Sequence, residues 1–288
     1  MPRACVPALL PCGTTTATLG SVPVEYVRPK ALDEALEALA AFEDPTPLAG
    51  GTDLMVEVNL AHRRPTAVVS LRDVDELTRW DEHWIGAGVT FARMEQAPDT
   101  ALAELSRTVG SPQIRAAATL GGNLGTASPA GDSLPFLAAA DAHIVLRSVT
   151  GSRRLRWDEF LTGPKQTARR PDELIVGVEL APRPERQAFA KVGVRQAMVI
   201  SAVSCCVLRD PSGETRVALG SVGPTVLRAP RAEEVASHAA RLTSSDLDEF
   251  QRRVTEEVRP ITDHRATADY RRHAAGVIAR RALERCLR

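Results

Sequence analysis

The chain has 288 residues, 44% of them hydrophobic and 25% charged, which is enough to bury a sizeable core and to form two or three packed units. Lys+Arg and Asp+Glu number 36 each, so no net field draws the chain to nucleic acid or to an anionic membrane, and only 4% aromatics argues against base-stacking platforms. No apolar run approaches the roughly 18–20 residues that span a bilayer, so no membrane association and a cytoplasmic location are expected.

Met1 to Gly20 holds one basic residue and a short apolar patch broken by Pro7 and Pro11, a poor secretory signal, and residues 1–22 are expected to be a disordered leader. Leu32, Ala35, Leu36, Leu39 and Ala40 then form the single apolar stripe of an amphipathic helix. A short apolar stretch ending at Ala49 runs into Gly50-Gly51-Thr52-Asp53, followed by a helix over 54–60 and a buried strand over 67–71. This opening reads as a small α/β unit. A second stretch, 76–182, starts with a strand over 84–89 and a helix over 101–109, then a long Gly- and Pro-containing segment over 110–135 that reads as an irregular loop wrapped around a ligand. Strands resume over 143–149, 153–157 and 174–180, the first two joined as a hairpin by Thr150-Gly151-Ser152. Residues 181–186 (APRPER) read as a Pro-rich polar hinge. Beyond it come strands over 188–194, 200–208 and 216–222, then helices over 231–242, 247–258 and 270–287, an α+β order.

The five cysteines include no Cys-x-x-Cys pair and few nearby histidines, so neither an iron–sulfur nor a metal site is expected in this chain. Cys205 and Cys206 are adjacent in a predicted strand, where consecutive side chains point to opposite faces, and both are expected to be buried and structural. The sequence holds no Gly-x-x-x-x-Gly-Lys-Ser/Thr and no Gly-x-Ser-x-Gly, and Gly86-Ala87-Gly88 lacks the third glycine of a dinucleotide fingerprint.

The two Gly-Gly segments carry the chemistry. Gly50 and Gly51 can adopt conformations closed to other residues, and a turn that opens a helix presents free amides to an anion such as a pyrophosphate. Alone, such a turn is most often only a turn. Thr119-Leu120-Gly121-Gly122-Asn123 lies inside the long segment, and Asp132 after it reads either as an acceptor for a ribose or ribityl hydroxyl or as the N-cap of a helix over 134–140.

Taken together, Ala49-Gly50-Gly51-Thr52-Asp53, Ser111-Pro112-Gln113-Ile114-Arg115, Thr119-Leu120-Gly121-Gly122-Asn123, Ala127-Ser128-Pro129-Ala130-Gly131-Asp132, Phe189-Ala190-Lys191-Val192-Gly193 and Gly220-Ser221-Val222-Gly223-Pro224-Thr225 resemble, in that order, the FAD-binding medium subunit of molybdenum hydroxylases of the xanthine dehydrogenase type. Asp269-Tyr270-Arg271-Arg272 also resembles the last helix of that family, and fits an arginine-rich solvated helix face as well. The departures, Gly131 for Ala and Leu120 for Ile or Val, are mild. The resemblance implies an α+β fold: an FAD-binding domain of the vanillyl-alcohol-oxidase type over 23–182, made of two α/β subdomains (23–75 and 76–182), then the closing α+β domain of such flavoproteins over 186–288.

By that resemblance Pro47, Leu48, Ala49, Gly50, Gly51, Thr52, Asp53 and Leu54 contact the FAD pyrophosphate, mainly through backbone amides. Thr119, Leu120, Gly121, Gly122 and Asn123 line the other side of the cofactor, Asp132 binds a polar part of its chain, Ile175 sits against the ring system, and Lys191 lies near the flavin or its phosphates. An exposed strand lysine is the plain alternative for Lys191. The resemblance further implies an oxidoreductase subunit with no catalytic side chain and no metal of its own. Electrons would arrive from 2Fe-2S clusters on a small subunit, after hydroxylation at a molybdenum cofactor on a large one, and leave to NAD, oxygen or another acceptor. Residues 55–60 and 191–195 lean toward the xanthine dehydrogenase branch. Carbon monoxide, aldehyde or other N-heterocycle dehydrogenases, and a stand-alone flavin oxidoreductase, are the alternatives.

Overall fold

The computed structural model describes residues 15–19, 22–238 and 241–288. Strands β1 (Thr15–Leu19) and β2 (Val22–Val27) pair antiparallel, with Leu19 opposite Val22. Helix α1 (Leu32–Ala41), β3 (Pro45–Leu48), α2 (Leu54–Asn59) and β4 (Ala67–Ser70) follow, and β2 and β3 both run parallel to β4, giving the order β1-β2-β4-β3. The expected leader over 1–22 is corrected for Thr15–Leu19, whose threonines suit a paired strand, and for Val22, which opens β2; its residues 1–14, 20 and 21 lie outside the described ones. Helix α1 buries Ala35, Leu36, Ala38 and Leu39 against Val27 and Val69.

The second unit begins with β5 (Trp84–Gly86) and five helices: α3 (Phe91–Met94), α4 (Thr100–Thr108), α5 (Pro112–Ala117), α6 (Leu120–Thr126) and α7 (Ser133–Ala139). Next come β6 (His143–Ser148), β7 (Gly151–Arg156), α8 (Trp157–Phe160), β8 (Leu161–Gly163), β9 (Gln166–Thr167) and β10 (Leu174–Glu179). All neighbours in the sheet β5-β10-β6-β7 are antiparallel. The segment over 110–135, expected to be irregular, is thus helical over α5 and α6, with a turn over 127–132 before α7, which matches the helix expected over 134–140. Its Ser, Thr and Pro residues are start signals: Ser111 Oγ accepts from Ile114 N at 3.3 Å, Pro112 occupies the first turn of α5, and Thr119 Oγ1 accepts from Gly122 N at 3.0 Å.

The last unit holds β11 (Arg186–Val192), β12 (Val203–Arg209), β13 (Thr215–Gly220) and β14 (Leu227–Arg228), paired antiparallel in that order, then α9 (Pro230–Ser237), α10 (Ser244–Glu257) and α11 (Ala268–Cys286). Its sheet is covered on both faces. Phe189, Cys206, Leu208 and Ala218 join the core that contains Leu102, Leu105, Phe136 and Leu137 of the preceding unit. Ala188, Cys205, Val207, Val217 and Leu219 point the other way, against Phe250, Val254, Ile278 and Leu283. Each large buried side chain contributes on the order of 1.5–3 kcal/mol, so this shared face fixes the two units together.

The connection over 181–186, expected to be a hinge, is pinned at Arg183. Arg183 grips Asp99 through Nε and Nη2, both at 2.8 Å, with the two side chains 8% and 9% exposed. Gln187 Nε2 adds bonds to Asp99 Oδ1 at 2.9 Å and Pro184 O at 2.8 Å.

Cys205, Cys206 and Cys286 are buried free thiols, and burial raises all three, Cys286 to about 12. Thiolates are the reactive form, so peptides carrying these three residues should stay unlabelled by iodoacetamide in the native protein at mildly alkaline pH and become labelled in denaturant. Labelling of Cys205 or Cys206 in the folded chain would contradict this two-sided burial.

Candidate functional site

The first glycine turn joins the end of β3 to the start of α2. Gly51 has φ +70°, a left-handed conformation that favours glycine. Gly50 is dictated by contact: a Cβ there would lie 1.8 Å from Ala117 O. The turn therefore presses against the end of α5. Among the described residues, no carbonyl accepts from the amides of Gly50, Gly51, Thr52 or Asp53, and the helix bonds begin only with Met55 N to Gly51 O at 2.9 Å. Four successive donors without an internal acceptor make a seat for an anion.

The second segment is built differently. Thr119 caps α6, so Gly121 and Gly122 lie inside a helix and not in a turn. Leu120 N donates to Val89 O at 3.0 Å, Gly121 N to Ala87 O at 2.8 Å and Asn123 N to Thr119 O at 3.0 Å. With Gly122 N on the Thr119 hydroxyl, every amide from 120 to 123 is satisfied internally. The glycines here serve approach. A Cβ on Gly121 would meet Ala87 Cβ at 2.6 Å, which explains that residue as packing. Gly122 and Gly125, three apart on one face of α6, leave a bare surface where added Cβ atoms would meet only Thr119 Oγ1 at 3.2 Å and Ile175 Cδ1 at 3.8 Å. Ile175, buried on β10, thereby sits beside this face.

The structure brings the two segments together through a bond not foreseen from sequence: Thr126 Oγ1, at the end of α6, donates to Asp53 Oδ2 at 2.7 Å. Pro47 and Leu48 belong to β3, and Leu54 opens α2, so both elements flank the amide row. Asn123 Oδ1 accepts from Ser133 Oγ at 2.6 Å, tying α6 to the start of α7.

Asp132 and Lys191, both read as separate contacts, are brought to one another. Lys191 Nζ lies 2.6 Å from Asp132 Oδ2 and 3.1 Å from each of Thr108 O and Val199 O, so its three hydrogens have three acceptors. Its side chain is 9% exposed, which removes the exposed-lysine alternative. Asp132 holds the N-cap position of α7, yet its carboxylate makes no cap bond; Oδ1 accepts from Ser201 Oγ at 2.5 Å. Burial pushes the Asp132 carboxyl above its ordinary value, opposed by the Lys191 ammonium and the Ser201 hydroxyl.

The solvated face that also fitted residues 269–272 holds for Tyr270, which is 50% exposed, but not for Arg271. That residue is 3% exposed, on the same stripe of α11 as Ala274, Ala275, Ile278 and Ala282. That helical spacing was the available signal for its burial. Ser201 and Thr126 had no comparable signal, because their partners are 69 and 73 residues away in the chain.

An FAD pyrophosphate needs several donors converging on negative charge, and the flat parts of the molecule need close access to backbone. The amide row over 50–53 and the bare face at Gly122 and Gly125 fit both demands. An α/β unit and a second unit whose antiparallel sheet makes it α+β, not the α/β subdomain expected, meet along these surfaces with a sheet-and-helix unit behind, and together they define a flavin-binding protein. Residues 22–184 match the family model described as the FAD binding domain in molybdopterin dehydrogenase, and 188–286 that of the CO dehydrogenase flavoprotein C-terminal domain. The chain belongs to this family of flavoprotein subunits. It is 35% identical over 233 residues to the nicotinate dehydrogenase FAD-subunit of Eubacterium barkeri, covering 73% of this chain and 78% of that one. It is 29% identical over 275 residues to a putative xanthine dehydrogenase FAD-binding subunit of Escherichia coli, covering 90% and 94%. Its structure is similar to a chain of the CO dehydrogenase from Oligotropha carboxidovorans, with a TM-score of 0.85, 28% identity and coverage of 92% and 97%.

Proposed function

We propose that this chain is the FAD-binding electron-transfer subunit of a xanthine dehydrogenase-like molybdenum hydroxylase, working with a small subunit that carries 2Fe-2S clusters and a large subunit that carries the molybdenum cofactor. The observation that carries this reading is the row of four acceptor-free amides over 50–53, set at the junction of two units in a chain of this family. Bound FAD supplies the conversion between single electrons and hydride transfer.

The residues of this chain bind and orient. The segment from Pro47 to Leu54 holds the pyrophosphate, the stretch from Thr119 to Asn123 approaches the cofactor from the other side through the bare surface at Gly122, with Leu120 and Gly121 packed inward behind it, and Ile175 packs against its rings. Asp132 and Lys191 act as a joined pair at its polar chain. No side chain here is assigned as a general base. Delivery to NAD or to oxygen is governed by access around residues 192–196, where Val194 is 70% exposed. The working location proposed is the cytoplasm; no helix among the described residues is long and apolar enough to cross a membrane.

Co-expression with the genes for both partners tests the reading. The complex should purify with one FAD per copy of this chain beside its 2Fe-2S clusters, and xanthine under anaerobic conditions should bleach the flavin and drive NAD reduction. Bleaching by nicotinate and not by xanthine would move the substrate to the nicotinate branch. A colourless chain that cannot be reconstituted with FAD would sink the function altogether.

A further inference from the structure

The buried arginine of the last helix is bonded in a way that reaches the flavin site without being part of it. Arg271 Nη1 donates to Ala202 O at 2.7 Å and to Ser221 O at 2.9 Å, and Nη2 donates to Asp263 Oδ1 at 2.7 Å. Asp263 is itself prepared as a receptor. Burial pushes its carboxyl up, but the amides of Arg265 and Ala266 and the Arg271 guanidinium outweigh that and bring it down to about 2. The guanidinium is thus paired and fixed in its plane.

What it holds lies one residue from the buried pair. Ser201, whose hydroxyl bonds Asp132, precedes Ala202, and its carbonyl accepts from Ser221 Oγ at 2.9 Å. Ala202 N donates to Val192 O at 2.8 Å, next to Lys191. Ser221 N donates to Pro129 O at 2.8 Å, three residues before Asp132. Ser221 also has φ +63°, an unfavourable conformation for a residue with a Cβ, which persists only when its surroundings over-determine it. The Arg271 bond to its carbonyl is one of those constraints.

Stability alone does not ask for an arginine here. Burying a guanidinium carries a desolvation penalty, and Arg271 Nε has no partner among the described residues. A planar guanidinium does, however, hold its partners apart from a rigid fork, with Ala202 O and Ser221 O on one nitrogen and Asp263 on the other, where a lysine offers a single rotatable point charge and an apolar residue offers nothing. We propose that Arg271 is a positioning residue of the flavin site: it fixes Ala202 and Ser221, and through Ser201 and Val192 it sets the Asp132 carboxylate and the Lys191 ammonium in place for FAD.

This inference rests on the reading that Asp132 and Lys191 belong to the flavin site. The test uses the assembled complex of all three partners, carrying Arg271→Lys, Arg271→Met or Ser201→Ala. The readouts are the FAD dissociation constant after reconstitution of deflavo protein, the visible-region circular dichroism of bound flavin, and the denaturation midpoint. Arg271→Lys is expected to weaken FAD binding about tenfold and to change the flavin dichroism, the effect of losing a charge-assisted bond. Ser201→Ala should shift both in the same direction, and keeps the test decisive if Arg271→Met fails to fold. A lowered denaturation midpoint with wild-type FAD affinity and dichroism in Arg271→Lys and Ser201→Ala would overturn the proposal. Wild-type protein that takes up no FAD would instead overturn the flavin-site reading beneath it.

Discussion

Gly50→Val should yield a chain that purifies without FAD. The new Cβ would lie 1.8 Å from Ala117 O, 2.4 Å from Ala117 C and 3.0 Å from Ala118 N, all backbone atoms. They cannot withdraw, because Ala118 N is bonded to Ile114 O at 2.7 Å and Ala118 O accepts from Phe91 N at 3.0 Å. The turn must move instead, and the amides of Gly50, Gly51, Thr52 and Asp53 move with it. Overpacking of this kind costs roughly 1–3 kcal/mol in stability. FAD content should fall to a tenth of wild type or less, read as the flavin-to-protein ratio after purification. Gly125→Ala is the contrast, since its Cβ would meet only Ile175 Cδ1 at 3.8 Å and the apo fold should keep its denaturation midpoint. Full flavin content in Gly50→Val would contradict the pyrophosphate seat.

Breaking the Asp132–Lys191 pair is the second large effect. Lys191→Met leaves a buried carboxylate with only the Ser201 hydroxyl, and Asp132→Asn leaves a buried ammonium facing two carbonyls. Removing one partner of such a pair costs about 3–5 kcal/mol, because the survivor keeps its desolvation penalty. The double variant Asp132→Asn/Lys191→Met should be less damaged than the sum of the two singles. Urea unfolding of the apo chain measures all three. Single-variant losses below about 1 kcal/mol, the range of exposed pairs, would mean the pair is open to solvent.

The features legible in the sequence are those written into local pattern. The first glycine turn, with a helix beginning at Leu54, can be read because Gly50 and Gly51 interrupt an apolar stretch just before a helical one. Alternation places Cys205 and Cys206 on opposite faces, and they do enter different cores. The segment over 110–135 misleads because Ser111, Pro112, Thr119 and Gly121 punctuate a chain whether it stops being helical or starts again. Which of the two holds depends on Val89 and Ala87, whose carbonyls receive the amides of Leu120 and Gly121. The joining of Asp132 to Lys191 and of Arg183 to Asp99 spans 59 and 84 residues, and no local rule reports a partner at such a distance. Those long pairs pin the connection expected to be a hinge, and join two expected ligands into one unit.

The C-terminal sheet buried on both faces also bears on how such proteins change over time. Phe189, Cys206, Leu208 and Ala218 close the interior of the unit before them, so the boundary between the two halves of the chain runs through shared hydrophobic volume and not through a tether. A mutation that resizes Phe136 or Leu105 must be answered on β11, β12 or β13. The part of the chain that seats the cofactor and the part behind it are therefore constrained to vary together, and a tail exchanged between relatives would arrive with the wrong shape.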